Sequence, residues 1–289
     1  MDDRFPPAAP ASDPALRARL RNLLMARKAE QWQDAPIGRA GEDRDRPSFA
    51  QQRVWFLARM GGGAGEAYHV PLGFRMRGDL DGAALRRALD RIADRHEALR
   101  TTFADDGGEP RLHVGVPGRG FELRSDDLSG MADPEAALDA LMAQEQALPF
   151  DLERGPLARG RLVRLADEDH VLLVTLHHIV SDGWSIGVLA RELGALYRAY
   201  AQGGGDPLEP LAVQYADYAA WQRRWLSGDA LERQAAYWRE TLSGAPPLLE
   251  LPTDRRRPAQ QDYAGGFVRL DLDEALTAKL KALGQRHGT

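Results

Sequence analysis

Near the middle of the chain run the residues His177-His178-Ile179-Val180-Ser181-Asp182-Gly183-Trp184-Ser185. The apolar run that precedes them, Val171-Leu172-Leu173-Val174, predicts a strand covered on both faces. From Ser185 to Tyr200 apolar residues recur at helical spacing, which predicts a helix with Ser185 as its N-cap. These residues are therefore expected in a loop between a buried strand and a helix, where functional side chains are common.

The histidine pair and Asp182 are the candidate functional residues of this loop. Adjacent residues of a strand point to opposite faces, so at most one of His177 and His178 can face a given cavity. The other is expected to pack or to hydrogen-bond. Imidazole is suited to general base catalysis near neutral pH. Asp182 could shape the loop or hold a cation, and Gly183 would permit a positive φ angle there.

Three other interpretations of the motif stay open on the residues alone. The histidine pair could be buried structure without catalysis. A metal site could use histidine and aspartate, although adjacent histidines diverge and no third ligand lies at a typical spacing. The run Gly183-Trp184-Ser185-Ile186-Gly187 matches the G-x-S-x-G nucleophile elbow. That elbow needs its serine at the turn directly after the strand, whereas here the strand ends earlier.

Strands and helices flank the motif on both sides. Alternating apolar residues at Leu72, Phe74 and Met76 predict a half-buried strand. Asp81 is the expected N-cap of a helix whose apolar face carries Leu85, Leu89, Ile92, His96 and Leu99. Further helices are predicted at 48–60, 133–149, 213–226 and 229–242, and further strands at 99–103, 111–116, 162–165, 170–177 and 267–272. Because the two kinds of element mix without strict β-α-β alternation, the predicted fold class is α+β, a sandwich with a mixed sheet.

Composition excludes several classes of function. The 289 residues suffice for one large domain or two lobes. With 38 basic and 43 acidic residues the net charge is −5, which does not suggest nucleic acid or an anionic membrane surface as partner. The absence of cysteine excludes a disulfide framework, a thiol nucleophile and thiolate metal sites. Neither a signal peptide nor a membrane-spanning apolar run is visible, so a cytoplasmic location is expected.

The first 46 residues differ from the rest of the chain. They begin with a stretch rich in alanine, proline and aspartate. Asp13-Pro14 then starts a predicted helix from Ala15 to Glu30. The polar stretch from Gln31 to Pro47 is predicted to be a linker. The helix is either part of a flexible leader or an interaction helix, and the sequence leaves both open.

Six segments, in order along the chain, resemble condensation domains of nonribosomal peptide synthetases. His177, His178, Asp182 and Gly183 resemble the His-His-x-x-x-Asp-Gly signature of that family, and the shorter His-x-x-x-Asp is shared with the chloramphenicol acetyltransferase-like superfamily. The other matching segments are 48–56, 95–103, 148–152 with 155–157, 215–222, and 251–255 with Pro258. The resemblance covers residues 47 to 268 and implies a chloramphenicol acetyltransferase-like two-layer α/β sandwich with a mixed sheet.

The resemblance also implies a division of the chain. Residues 1–46 would be the leader helix and linker, and residues 47–212 the N-terminal lobe with the histidine motif. Residues 213–289 would be crossover helices and the start of a second lobe. Later motifs of the family are not present, so we expect that lobe to be incomplete and the chain to be inactive alone. We also expect residues 213–289 to lack packing partners.

Two relatives of the family are set aside on residues. Heterocyclisation domains carry an Asp-x-x-x-x-Asp pattern that is absent here. Epimerisation domains are also similar, but the ending Asp182-Gly183-Trp184-Ser185 is closer to condensation domains.

The chemistry implied by the resemblance is aminolysis of a thioester. A donor acyl group and an acceptor aminoacyl group arrive on phosphopantetheine arms of upstream and downstream peptidyl carrier proteins, and an adenylation domain is expected downstream. No covalent intermediate, metal or cofactor bound by the domain is required, because holding both reactants in line removes much of the barrier. The alternative is a noncatalytic docking scaffold for carrier proteins, from a truncated or degenerate domain.

The resemblance assigns roles to individual residues. His178 would deprotonate or position the acceptor amine, and the backbone N–H of Gly183 would face the developing oxyanion. Asp182 would be structural and would pair with Arg100, and loss of such a buried ion pair costs about 3–5 kcal/mol. His177 and Arg100 are thus supporting residues.

Overall fold

The computed structural model describes residues 36–41, 44–60, 65–256, 258, 268 and 270–288. The helices are α1 (Phe49–Ala58), α2 (Gly82–Arg95), α3 (Pro134–Ala147), α4 (Gly183–Ala201), α5 (Tyr215–Trp225), α6 (Gly228–Thr241) and α7 (Glu274–His287). The strands are β1 (His69–Arg77), β2 (Thr101–Asp106), β3 (Glu109–Val114), β4 (Glu122–Asp127), β5 (Ala158–Ala166) and β6 (Asp169–His177). None of the helices in these ranges is long and apolar enough to cross a membrane. The predicted leader helix at 15–30 lies outside the described residues.

Strand β6 lies inside a four-stranded sheet of order β1-β6-β5-β4. It pairs antiparallel with β1 and β5, while β4 pairs parallel with β5 at one edge, so the sheet is mixed as predicted. Every residue from Val171 to His177 is buried. The expectation of a strand covered on both faces is therefore confirmed. Strands β2 and β3 form a separate hairpin.

Helices cover both faces of β6 because its side chains alternate in direction. Leu172, Val174 and Leu176 pack on the face covered by α2 and α4. Val171 and Leu173 pack on the opposite face together with Leu138 of α3. Helices therefore lie on both faces of the sheet, and the predicted α+β class with a mixed sheet is confirmed.

A second apolar cluster lies beneath the histidine loop and joins α1, the hairpin and α5. Its buried members are Trp55, Phe103, Leu112, Leu157, Ile179 and Ala216. The first helix beyond residue 213 thus packs into this cluster, contrary to the expectation that this part of the chain lacks partners. In α6, by contrast, none of the described residues is buried, and Tyr237 and Trp238 are exposed.

By packing, the chain divides into one unit that extends to Leu249 and a second one from Glu250 onward. The second unit contains α7, which Asp273 caps at its start and Gly288, with a φ of 67°, at its end. The residues described between 267 and 272 are not in a strand, so the strand predicted there is not formed by them. The assignment of residues 213–289 to a crossover and a second lobe stays a prediction.

The described part of the predicted linker is held against α5. Asp217, which is buried, accepts the N–H of Ala40 at 3.0 Å and lies 3.0 Å from Nε of Arg44. Arg39 donates to the carbonyl of Ala212 at 3.4 Å. Where it is described, this segment is therefore bonded to α5 and to Ala212 just before it.

Hydrogen exchange on the 289-residue chain should separate α5 from α6. The amides of α5 lie over the buried Ala219 and Trp221, whereas α6 has no buried residue, so α5 should exchange slowly and α6 rapidly. Strand β6 serves as the slow reference. Equal protection of the two helices would contradict this packing.

Candidate active site

The end of β6 is fixed by backbone hydrogen bonds on both sides. The N–H of His177 donates to the carbonyl of Leu157 at 2.9 Å, and the N–H of His178 donates to that of Tyr68 at 2.8 Å. The carbonyl of His177 then accepts the N–H of Val180 at 3.0 Å and the hydroxyl of Ser181 at 3.2 Å. The chain therefore leaves the sheet through a tight turn whose geometry His177 sets.

His178 is exposed and has one ring nitrogen committed. Its Nδ1 lies 2.8 Å from the carbonyl oxygen of Ser181. A carbonyl only accepts, so Nδ1 carries a hydrogen, and in the neutral imidazole Nε2 keeps a lone pair. The ring lines a recess of about 180 Å³ together with Gln51, Val54 and Tyr215. An imidazole held in this way can accept a proton at Nε2.

His177 lies in a different environment from its neighbour. It is 2% exposed, and its Nδ1 accepts the N–H of Ile179 at 3.1 Å, so Nε2 carries the hydrogen. Burial, with smaller contributions from His69 and His178, lowers the pKa of His177 to about 4. It lines a recess of about 410 Å³ rather than the one beside His178. The prediction that at most one of the two rings faces a given cavity is confirmed.

Asp182 begins helix α4 as its N-cap. Its Oδ1 accepts the N–H of Ser185 at 2.8 Å and the hydroxyl of Ser185 at 2.6 Å, and the N–H of Asp182 donates to that hydroxyl oxygen at 3.2 Å. These bonds from Ser185 hold the pKa of the Asp182 carboxyl below its usual range. The predicted N-cap at Ser185 is wrong by three residues. The nucleophile elbow is excluded as well, because this serine lies inside the helix with its hydroxyl bound to a carboxylate.

The predicted ion pair between Asp182 and Arg100 is wrong. Nε of Arg100 donates to the carbonyl of Ala93 at 3.1 Å, and its two terminal nitrogens donate to the carbonyls of Asp94 (3.2 Å) and Gly115. The guanidinium of Arg100 is thus bound to carbonyls at the end of α2 and after β3. The carboxylate of Asp182 is bound instead to Ser185 as the N-cap of α4. Arg100 therefore ties α2 to the hairpin and does not reach the histidine loop.

Gly183 is the first residue of α4 and does not have the positive φ that the sequence suggested. A Cβ added there would meet no atom within 4 Å. No acceptor among the described residues takes its N–H, which lies at the positive end of the helix dipole.

Two side chains outside the histidine motif also line the recess beside His178. Gln51 of α1 donates from its side-chain amide to the carbonyl of Ile179 at 3.1 Å. The hydroxyl of Tyr215 lies 3.1 Å from Oγ of Ser48, and burial raises the pKa of Tyr215. Both belong to segments that matched the family motifs, but motif matching alone gave them no role.

A larger apolar recess of about 520 Å³ adjoins the one that contains His178. The two share Val180, Ser181, Ser185 and Tyr215. Trp184 also lines the larger recess and is 83% exposed. Within the described ranges, no group of three histidine or acidic side chains could hold a metal ion.

The comparisons with known proteins agree on one family. A family model described as the condensation domain matches residues 46–289. Malpinin synthetase of Mortierella alpina is 47% identical over 275 residues, which is 95% of this chain and 4% of that protein. The chain belongs to the condensation-domain family, as the motifs predicted.

Solved structures support the same fold. The X-domain from teicoplanin biosynthesis is 35% identical with a TM-score of 0.74, over 88% of this chain and 56% of that one. The X-domain in its complex with OxyB from teicoplanin biosynthesis is 34% identical with a TM-score of 0.73, over 88% of this chain and 55% of that one. This chain thus spans just over half the length of these structures and a small fraction of the synthetase.

Replacing Asp182 by alanine should lower the free energy of unfolding by about 1 kcal/mol, the cost of losing an N-cap. Urea unfolding of the 289-residue chain measures it, with Asp167→Ala as an exposed aspartate control. A loss of about 3–5 kcal/mol would instead indicate a buried ion pair.

The burial of His177 should make stability depend on pH in a defined window. Since its folded pKa is about 4 and its unfolded pKa about 6.5, its contribution is complete above pH 6.5 and is lost as the pH falls towards 4. The loss amounts to roughly 3 kcal/mol. Urea unfolding from pH 7 to 4 should show this dependence in the wild type and lack it in His177→Gln. Parallel curves for the two proteins would contradict the account.

Proposed function

We propose that this chain belongs to an enzyme that forms an amide bond between a donor acyl thioester and an acceptor aminoacyl thioester in nonribosomal peptide synthesis. The observation that carries the proposal is the state of His178. Its ring is exposed in a recess, Nδ1–H is bound to the carbonyl of Ser181, and Nε2 is left to accept a proton. Membership of the condensation-domain family supports the same chemistry.

In the proposed reaction the acceptor amine attacks the donor carbonyl carbon. A C–N bond forms and the C–S bond breaks, so the amine loses a proton and the leaving thiolate gains one. His178 takes the proton from the amine at Nε2 or orients the amine through the same nitrogen. Gly183 assists by directing its N–H, at the start of α4, towards the developing oxyanion.

The recesses on either side of the histidine pair suit two separately delivered reactants. One lies beside His178 and continues into the apolar recess, whereas the other lies beside His177. Phosphopantetheine arms of an upstream and a downstream carrier protein would bring the acyl groups in. Holding two tethered reactants together accounts for much of the rate, so the domain itself needs no bound cofactor. A downstream adenylation domain and a cytoplasmic location complete the proposal.

A noncatalytic docking scaffold is the second candidate function. The observation in its favour is the likeness to the X-domain, which has been solved in a complex with OxyB. In that case the lobe would bind partner proteins through its surface, and His178 would be dispensable for binding.

Replacing His178 by alanine should lower condensation by about a hundredfold or more, the usual contribution of a general base. The assay measures amide product formed by the full-length gene product with loaded carrier proteins. The 289-residue chain is assayed in the same way for comparison. His113→Ala, an exposed histidine of β3, is the matched control.

Near wild-type product from a folded His178→Ala protein would contradict the catalytic proposal. If the wild type and the variants all bind carrier proteins but none of them forms product, the result would favour the docking scaffold.

A further inference from the structure

Two arginines of β5 share one buried glutamate. Nε of Arg159 lies 3.1 Å from Oε2 of Glu145, and Nε of Arg161 lies 2.5 Å from Oε1. The side chains of Arg159 and Glu145 are 8% and 7% exposed. Burial alone would raise the pKa of Glu145, but the hydrogen bonds from Arg161 and Arg159 outweigh it and hold that pKa below its usual range. A buried pair of this kind contributes little net stability over apolar packing, so its presence calls for another explanation.

Only Arg159 also reaches the loop that follows α3. Its terminal nitrogens donate to the carbonyls of Glu145 (3.0 Å), Pro149 (3.4 Å) and Leu148. Its guanidinium carbon lies 3.9 Å from the ring centroid of Phe150. A terminal nitrogen of Arg161 lies instead 3.1 Å from Oδ2 of Asp126. The planar guanidinium of Arg159 therefore fixes both the backbone and the aromatic ring of this loop.

Phe150 in turn packs against two histidines. Its ring meets His177 at right angles with centroids 5.8 Å apart, and it meets His69 at 88° and 5.0 Å. His69 is itself held, because its Nδ1 lies 2.8 Å from the carbonyl of Gln146 at the end of α3. The guanidinium of Arg159 and the rings of Phe150 and His177 thus form a continuous chain of contacts.

From His177 the contacts continue to His178 through the turn. The ring of His177 accepts the N–H of Ile179, and its carbonyl accepts the hydroxyl of Ser181. The carbonyl of Ser181 then accepts Nδ1–H of His178. A rotation of the His177 ring would shift this turn and with it the direction of Nε2 of His178.

We infer that Arg159 is a positioning residue that acts through Phe150 and His177 to hold His178 in its reactive orientation. The inference rests on the proposed role of His178 in amide formation. It gives a use to the segment from Leu148 to Leu157, which matched a family motif without any evident chemistry. Arg159 contacts Phe150, and Phe150 contacts His177, so the effect of Arg159 passes through these two rings.

The test compares Arg159→Lys with Arg161→Lys in the full-length gene product. Both variants keep a positive charge for Glu145, but only Arg159→Lys loses the planar contact with Phe150 and the fork of carbonyl bonds. Small displacements of reacting groups cost up to about a hundredfold in rate. We expect Arg159→Lys to lower kcat about tenfold or more with KM nearly unchanged. Arg161→Lys should resemble the wild type.

A second pair of variants probes the ring, and covers the case in which Arg159→Lys does not fold. Phe150→Leu should lower kcat as Arg159→Lys does, and Phe150→Tyr, which keeps an aromatic ring, should restore it. Nitrogen-15 NMR of the histidine rings in the 289-residue chain gives a readout independent of activity. The wild type should show hydrogen on Nδ1 of His178, and Arg159→Lys and Phe150→Leu should show a mixture of both tautomers.

Two results would overturn the inference. Arg161→Lys could lower kcat as much as Arg159→Lys, which would assign the effect to the shared ion pair. Alternatively, Phe150→Leu could keep wild-type kcat and a single His178 tautomer. Undiminished product from His178→Ala would instead refute the proposed function, whatever the arginine variants do.

Discussion

The alternation of side chains along the buried strand β6 is the constraint on which the site depends. Three of its apolar residues pack towards α2 and α4 and two towards α3, so the strand cannot rotate without exposing one set to water. At its end this alternation separates His177 from His178. One ring is buried beside Phe150, and the other stands exposed beside Gln51 and Tyr215. The different environments of the two histidines therefore follow from the strand itself.

Hydrogen bonds from several different polar groups fix the shape of the histidine loop that follows β6. His177 organises the turn, Ser181 fixes the tautomer of His178, and Asp182 pairs with Ser185 to begin α4. Burial keeps His177 neutral near pH 7, which leaves its Nδ1 free to accept the N–H of Ile179. Among the described residues these bonds involve no cationic side chain, and Arg100 is bound to backbone carbonyls elsewhere.

Local patterns in the sequence were sufficient to predict β6, α2 and the divergence of the two histidines. Strand β4 was missed because Glu122, Arg124 and Asp126 give an edge strand the appearance of a polar loop. The contact between Arg159 and Phe150 was missed for another reason. The sequence alone does not distinguish a buried arginine from an exposed one, and the partners of Arg159 depend on how α3 and β5 pack. The pairing of Asp182 with Arg100 was predicted from family resemblance. In the structure Asp182 caps α4 instead.

We propose that Nε2 of His178 meets the acceptor amine. A structure of the full-length gene product with a stable amine analogue of the acceptor bound beside the histidine loop would test it most directly. We expect the amine nitrogen within about 3.2 Å of Nε2, with Nδ1 still bound to the carbonyl of Ser181. An amine bound beyond hydrogen-bond reach of His178, or a ring turned so that Nδ1 faces the amine, would contradict the account.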